Sequence, residues 1–244
     1  MVNVKDIIIK VIPSKMANDF IKKNHYSGKV VQNSSLHFGA FLNNRLHGVL
    51  SFGSPLDKRK ILPLVFKSKW NDMLELNRLA FDEWLPKNSE SRCISIAVRL
   101  IKKNASHVKW LLSFADGTQC GDGTIYRACG FLLAGIKKNT NTCLLPDGSV
   151  IHKMTLESNP TSKRSELNNK SYYDITGGCY NFKKYVNCVH GKILEGYQLK
   201  YVYLIDKTCE LTVPIIPYSR IDELGIGMYK GKNISIRERN ASVV

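Results

Sequence analysis

The run Val108-Lys109-Trp110-Leu111-Leu112-Ser113-Phe114-Ala115 is apolar enough to be a buried strand, and it stops at Asp116-Gly117 before a glycine-rich stretch ending in Gly123-Thr124-Ile125-Tyr126. Strand, turn and helix start in that order make the junction at which α/β proteins place their sites. Gly117, Gly121 and Gly123 permit the sharp turn that follows the strand. Asp116 then stands at the mouth of a cleft, or it only opens the turn or caps the next helix; a lone Asp before Gly fits both readings.

The flanking segments supply the remaining elements. Residues 7–12 read as a first strand, and Pro13-Ser14-Lys15-Met16 opens a helix with Met16, Phe20 and Ile21 on one face, ending near Asn24. Residues 37–42 and 46–53 form a hairpin about Asn43-Asn44-Arg45. A basic connection with some helix (58–73) leads to a strand (73–81) that carries Glu75, Asn77 and Arg78 among apolar residues. Caps within 86–91 start a helix through Ile94, Ala97, Val98 and Ile101. After the strand at 108–115 come a helix (123–129), a strand (131–136), a turn at Pro146-Asp147-Gly148-Ser149 and its hairpin partner (152–156). Residues 157–195 have weak periodicity and read as an inserted or exposed segment, followed by a strand (198–205) and an extended stretch (211–217). The order predicts a mixed α/β sheet with helices on its faces.

The chain of 244 residues has 36 Lys and Arg against 20 Asp and Glu, a net charge of +16. Such an excess favours a polyanionic partner through counterion release, with nucleic acid first among candidates. No apolar run approaches the roughly 20 residues of a spanning helix, and the N-terminus lacks a signal-peptide pattern, so no membrane is expected and the cytoplasm is the expected location. Seven cysteines occur without a Cys-x-x-Cys pair, which argues for reduced thiols; Cys179, Cys188 and His190 have a spacing that fits no standard zinc motif.

The candidate functional residues are His25, Tyr26, Arg78, Asp116 and Tyr126, each beside an expected turn, strand end or helix start. His25 also reads as a histidine meeting a helix C-terminus, and the two tyrosines as partly buried aromatics. Arg78 within an apolar strand must be paired or face a cleft, with Asp116 or Glu75 as its partner.

The segments Asn24-His25-Tyr26-Ser27-Gly28, Glu75-Leu76-Asn77-Arg78-Leu79, Pro86-Lys87-Asn88-Ser89-Glu90-Ser91-Arg92, Ser113-Phe114-Ala115-Asp116 and Gly123 to Phe131 resemble, block by block, the Mom family of phage DNA-modification proteins. Leu211-Thr212-Val213-Pro214 and Gly227-Met228-Tyr229-Lys230-Gly231-Lys232 resemble the family's C-terminal segment. The resemblance implies a GNAT-like fold: a mixed, mostly antiparallel sheet with helices on both faces, a catalytic domain over 1–156, and a C-terminal extension over 157–244 packing on it. It implies an enzyme that adds a carbamoylmethyl (acetamido) group to adenine N6 in double-stranded DNA, in the bacterial host cytoplasm, protecting the DNA from restriction. It assigns activity to His25, Tyr26, Arg78, Asp116 and Tyr126, with iron as the expected metal on His25, Tyr26 and Asp116. A homodimer is the expected assembly.

GNAT acyltransferases hold acyl-CoA on a glycine-containing loop that opens a helix, whereas the corresponding Pro86 to Arg92 has no glycine. Lys87, Asn88, Ser89 and Arg92 are the candidates to receive an anion there, and acetyl-CoA is the cofactor in question; the alternative is that Asn88 or Ser89 only caps the helix. Lys58, Arg59 and Lys60 are expected to contact phosphates. Two other functions fit the same residues: a conventional GNAT acetyltransferase acting on a protein or small amine, and a basic DNA-binding protein without catalysis.

Overall fold

The structure is a computed structural model that describes residues 3–118, 121–226, 228–229 and 232–233. In chain order the elements are β1 (Ile8–Val11), α1 (Ser14–Asn24), β2 (Ser34–Leu42), β3 (Arg45–Gly53), α2 (Lys58–Ile61), β4 (Met73–Phe81), α3 (Ser89–Asn104), β5 (Trp110–Asp116) and α4 (Thr124–Ala128). There follow β6 (Leu132–Leu144), β7 (Val150–His152), α5 (Lys153–Glu157), α6 (Tyr172–Thr176), α7 (Phe182–Cys188), β8 (Lys192–Leu204), α8 (Ser219–Glu223) and a short pair, β9 (Met228–Tyr229) and β10 (Lys232–Asn233).

Eight strands form one sheet in the order β1-β2-β3-β4-β5-β8-β6-β7. Every junction in it is antiparallel except β4 with β5, which run parallel and are joined by the crossover helix α3. That parallel ladder is short. It pairs Met73–Leu76 with Trp110–Ser113 and goes no further, so the C-terminal ends of both strands are free to border a cleft.

Strand alternation puts helices on both faces, as expected. Val49 of β3 packs with Ala17 and Ile21 of α1, while the next residue, Leu50, packs with Cys93, Ile94 and Ala97 of α3. Successive side chains of a strand point to opposite faces, so α1 and α3 cover opposite sides of the sheet. On α3 the buried stripe is Cys93, Ile94, Ala97, Val98 and Ile101, the expected one. On α1 the buried residues are Ala17 and Ile21, and Met16 is exposed, so the stripe is narrower than the apolar residues alone suggest.

The latter half departs from expectation in three places. Residues 152–156 do not form a returning strand: β7 is only Val150–His152, and the chain turns into α5, with the His152 ring accepting from the Met154 N–H at its start. Strand β6 runs on to Leu144 through the polar stretch Lys137 to Asn141, because pairing with β8 leaves one side of that stretch in solvent. Residues 157–195 are not merely exposed. Leu167, Tyr172, Phe182, Tyr185 and Val186 build a second core with Cys143, Ile151 and Leu156, and β8 begins within that range at Lys192. Helices of five and seven residues are too short to show a 3.6-residue period. No helix among the described residues is long and apolar enough to cross a membrane. Cys120, and Gly227, Lys230 and Gly231 of the C-terminal resemblance, lie outside the described residues.

Candidate active site

Where β4 and β5 stop pairing, a cleft of about 1200 Å³ opens, and His25, Tyr26, Arg78, Asp116 and Tyr126 all line it. They arrive on different elements: His25 and Tyr26 just past the end of α1, Arg78 on β4, Asp116 at the last position of β5, and Tyr126 in α4. Strand register completes one wall. Gln198 of β8 lies opposite Asp116 on one side and Lys137 of β6 on the other, so an acid, an amide and a lysine form a row across the sheet at the cleft.

Arg78 is the electrostatic centre. Its Nε donates to the Lys29 carbonyl at 2.8 Å and its Nη1 to the Asn77 carbonyl at 2.7 Å, which fixes the guanidinium plane. Burial pulls its pKa down, and the acidic groups Tyr26, Glu75 and Tyr126 around it push the other way. Of the two partners expected for Arg78, Glu75 is the carboxyl whose charge acts on it. Burial raises the Glu75 carboxyl to about 7, and Arg78 offsets only part of that rise. A carboxyl held near neutrality inside a cleft suits proton transfer.

Burial, reinforced by the Arg78 charge, lowers His25 to about 4, so the ring is neutral at pH 7. The Ser27 N–H donates to Nδ1 at 3.1 Å, and the Ser27 hydroxyl lies 2.8 Å from the same nitrogen. The His25 and Tyr26 rings lie 4.3 Å apart, and Tyr26 stands exposed at the mouth. Tyr126 lies deeper, 5.4 Å from the Tyr201 ring and 5.5 Å from that of Phe131.

Asp116 does both things its position suggested. Its Oδ1 accepts from the Thr118 N–H at 2.9 Å, opening the turn, and the residue lines the cleft. The loop beyond is held by buried Asp122, whose carboxylate accepts from Arg127 at 2.8 Å and from the Thr124 N–H at 3.0 Å. Gly123 follows with φ +74°, and a Cβ there would stand 2.5 Å from the Tyr201 ring, so this position requires glycine on both counts.

Several cleft residues escaped the sequence reading: His152, Lys29, Lys137 and Lys200. His152 is drawn toward neutrality by burial and toward protonation by the Asp116 charge. No spacing links residues 116 and 152; only the chain of pairings β5-β8-β6-β7 joins them. Of the three residues expected on phosphates, Lys60 lines the cleft, Arg59 is exposed, and Lys58 is buried with its ammonium 4.9 Å from the Trp70 ring centre.

The expected anion-binding residues border a separate groove of about 590 Å³ along α3, lined by Lys87, Asn88, Arg92 and Arg99 but not by Ser89. Ser89 is buried and donates from Oγ to the Pro86 carbonyl at 2.5 Å. Asn88 occupies the cap position at φ +70° without a side-chain bond to the helix, taking the left-handed conformation that glycine would offer.

The chain is a mixed α/β protein with a cleft at the C-terminal ends of two parallel strands, and solved GNAT acetyltransferases are similar to it. One from Elizabethkingia anophelis with acetyl-CoA bound has a TM-score of 0.45 and 12% identity over 82% of this chain and 98% of that one. An acetyltransferase from Bacillus subtilis in complex with CoA has a TM-score of 0.44 and 11% identity over 81% and 98%. The chain belongs to the Mom protein family, whose model matches residues 6–220. A curated relative, the methylcarbamoylase Mom of Escherichia phage Mu, is 35% identical over 155 residues, which span 63% of this chain and 63% of that protein.

Nothing in the structure supports the expected iron on His25, Tyr26 and Asp116. Among the described residues no group of three or more His, Cys, Asp or Glu is disposed to hold a metal ion, and the Arg78 cation acts on His25, the one imidazole of the expected set.

Proposed function

We propose that this chain is a transferase that places a carbamoylmethyl group on adenine N6 in double-stranded DNA, protecting that DNA from restriction enzymes. The observation that carries the reading is the convergence of five residues from separate segments on one cleft, in a chain of the Mom family. The name of the phage Mu relative supports the group transferred, and the net charge of +16 supports a polyanionic substrate.

An N6 amine inside duplex DNA is paired, so the base must leave the stack to react. The cleft has room for a purine, and Tyr26 and Tyr126 offer aromatic faces to it. As the N6–C bond forms, the bond between the methylene carbon and the donor's leaving group breaks, the leaving group departs with that electron pair, and the nitrogen sheds a proton. Asp116 accepts a hydrogen bond from the amine and aims it, Glu75 takes the proton, and Arg78 stabilises the carboxylate it faces. The α3 groove, with Lys87, Arg92 and Arg99, suits the anionic part of a donor; acetyl-CoA alone would put an acetyl group on N6, so a donor of the carbamoylmethyl group must also carry the amide nitrogen.

A base must be ionised to act. Activity should therefore fall as pH drops through about 7, the Glu75 value, with His25 contributing no change until about 4. A Glu75→Gln variant whose residual activity kept the same acidic limb would remove Glu75 from this role.

Mass spectrometry of nucleosides from plasmid DNA in cells expressing the chain tests the whole reading. A deoxyadenosine heavier by one carbamoylmethyl group is the expected product. Unmodified plasmid alongside folded protein would overturn it and favour acetyl transfer to another amine, or DNA binding without chemistry.

A further inference from the structure

Three apolar side chains stand in solvent at the mouth of the cleft, each among its lining residues: Leu56 at 78% exposure, Tyr26 at 56% and Val150 at 44%. Lys29 and Lys137, both exposed, and Lys60 and Lys200 line the same cleft. Leu56 is the most exposed large hydrophobic residue among those described. One exposed leucine is unremarkable on most surfaces. This one sits between residues that are bound to the rest of the protein. Pro55 before it is buried, and the Ser54 carbonyl accepts from Asn33 Nδ2. Asp57 after it caps α2 and pairs with Lys60 at 2.8 Å, and Lys58 is buried over Trp70. The loop is therefore anchored on both sides of a single apolar side chain that touches little of its own protein.

We propose that Leu56 is a wedge that enters the base stack of duplex DNA and fills the gap left when the adenine turns into the cleft. The inference rests on the DNA-modification reading and names the residue that opens its substrate. Apolar side chains inserted at a base step partly unstack it, and contacts in the rest of the interface offset that cost. Here the lysines supply attraction to the flanking phosphates without sequence choice, and the cleft receives the base. An apolar residue in water that lines the same cleft as four lysines suits a partner in which stacked bases and phosphates alternate.

The test is permanganate oxidation of thymines in a duplex plasmid bound by the protein, since a thymine that has lost its adenine becomes reactive. Wild-type protein should raise thymine reactivity several-fold. Leu56→Ala should still bind the plasmid through the lysines yet leave reactivity near that of free DNA, and a side chain exposed in the free protein contributes little to the fold. Leu56→Phe, which keeps apolar bulk, should retain the signal. Full reactivity with Leu56→Ala, or none with wild type, overturns the wedge. If the modified nucleoside forms in cells while thymines stay protected, the wedge fails and the DNA-modification reading stands; if it never forms, that reading falls and takes the wedge with it.

Discussion

Arg78→Ala should lose about 100-fold to 1000-fold of DNA-modifying activity, the scale of removing a preorganised charge from a reacting centre. Arg78 is fixed by two backbone carbonyls, those of Lys29 and Asn77, and sits among Tyr26, Glu75 and Tyr126. Its removal has a signature that simple loss of packing would not give. Arg78 lowers the pKa of Glu75 and of His25, so without it both must rise. The acidic limb of any residual activity should then move to higher pH than the wild-type value of about 7. Arg78→Lys should recover little, because one ammonium cannot reproduce a planar fork held by two carbonyls. The nucleoside assay in cells, with thermal unfolding as the control for folding, checks the loss. Activity within tenfold of wild type in a folded Arg78→Ala protein would remove Arg78 from the reacting centre.

Most of the first half of this fold is written locally. The hairpin about Asn43 and Asn44, both at positive φ, the buried stripe of α3 and the apolar run of β5 each rest on residues close in sequence, and these elements match their expectation. His25, Tyr26, Arg78, Asp116 and Tyr126 line one cleft, and each stands where an element ends or starts or a charge interrupts an apolar strand. The second half is written at long range. Strand β8 inserts between β5 and β6, a placement no local pattern encodes, and it brings Gln198 and Lys137 beside Asp116. His152 reaches the cleft through the same pairings. Glu75 was legible only as a partner for Arg78; its raised pKa follows from burial, which exists only after folding.

The same dependence on tertiary context sets the largest expected stability effect. Arg127→Met should destabilise the protein by about 3 kcal/mol, the low end for breaking a buried ion pair from one side. Asp122 keeps only 1% of its side chain exposed and Arg127 24%, with 2.8 Å between their charged atoms. Taking away the cation removes the Arg127 charge from a buried carboxylate that the Thr124 N–H and hydroxyl also bind. Asp122→Asn added to Arg127→Met should recover about 1 kcal/mol or more, because a neutral amide is cheaper to bury than a carboxylate that has lost the Arg127 charge. Denaturant unfolding of the two variants measures both numbers. Losses below about 1 kcal/mol for Arg127→Met would mean that the turn, not the pair, holds this loop. The consequence for the site is direct. Asp122 precedes Gly123, whose left-handed backbone starts α4, and the Tyr201 hydroxyl donates to the Asp122 carbonyl at 2.5 Å. A loop loosened at Asp122 releases Tyr126 from its place beside the Tyr201 ring, so activity should fall with stability even though neither Asp122 nor Arg127 is required to touch the adenine.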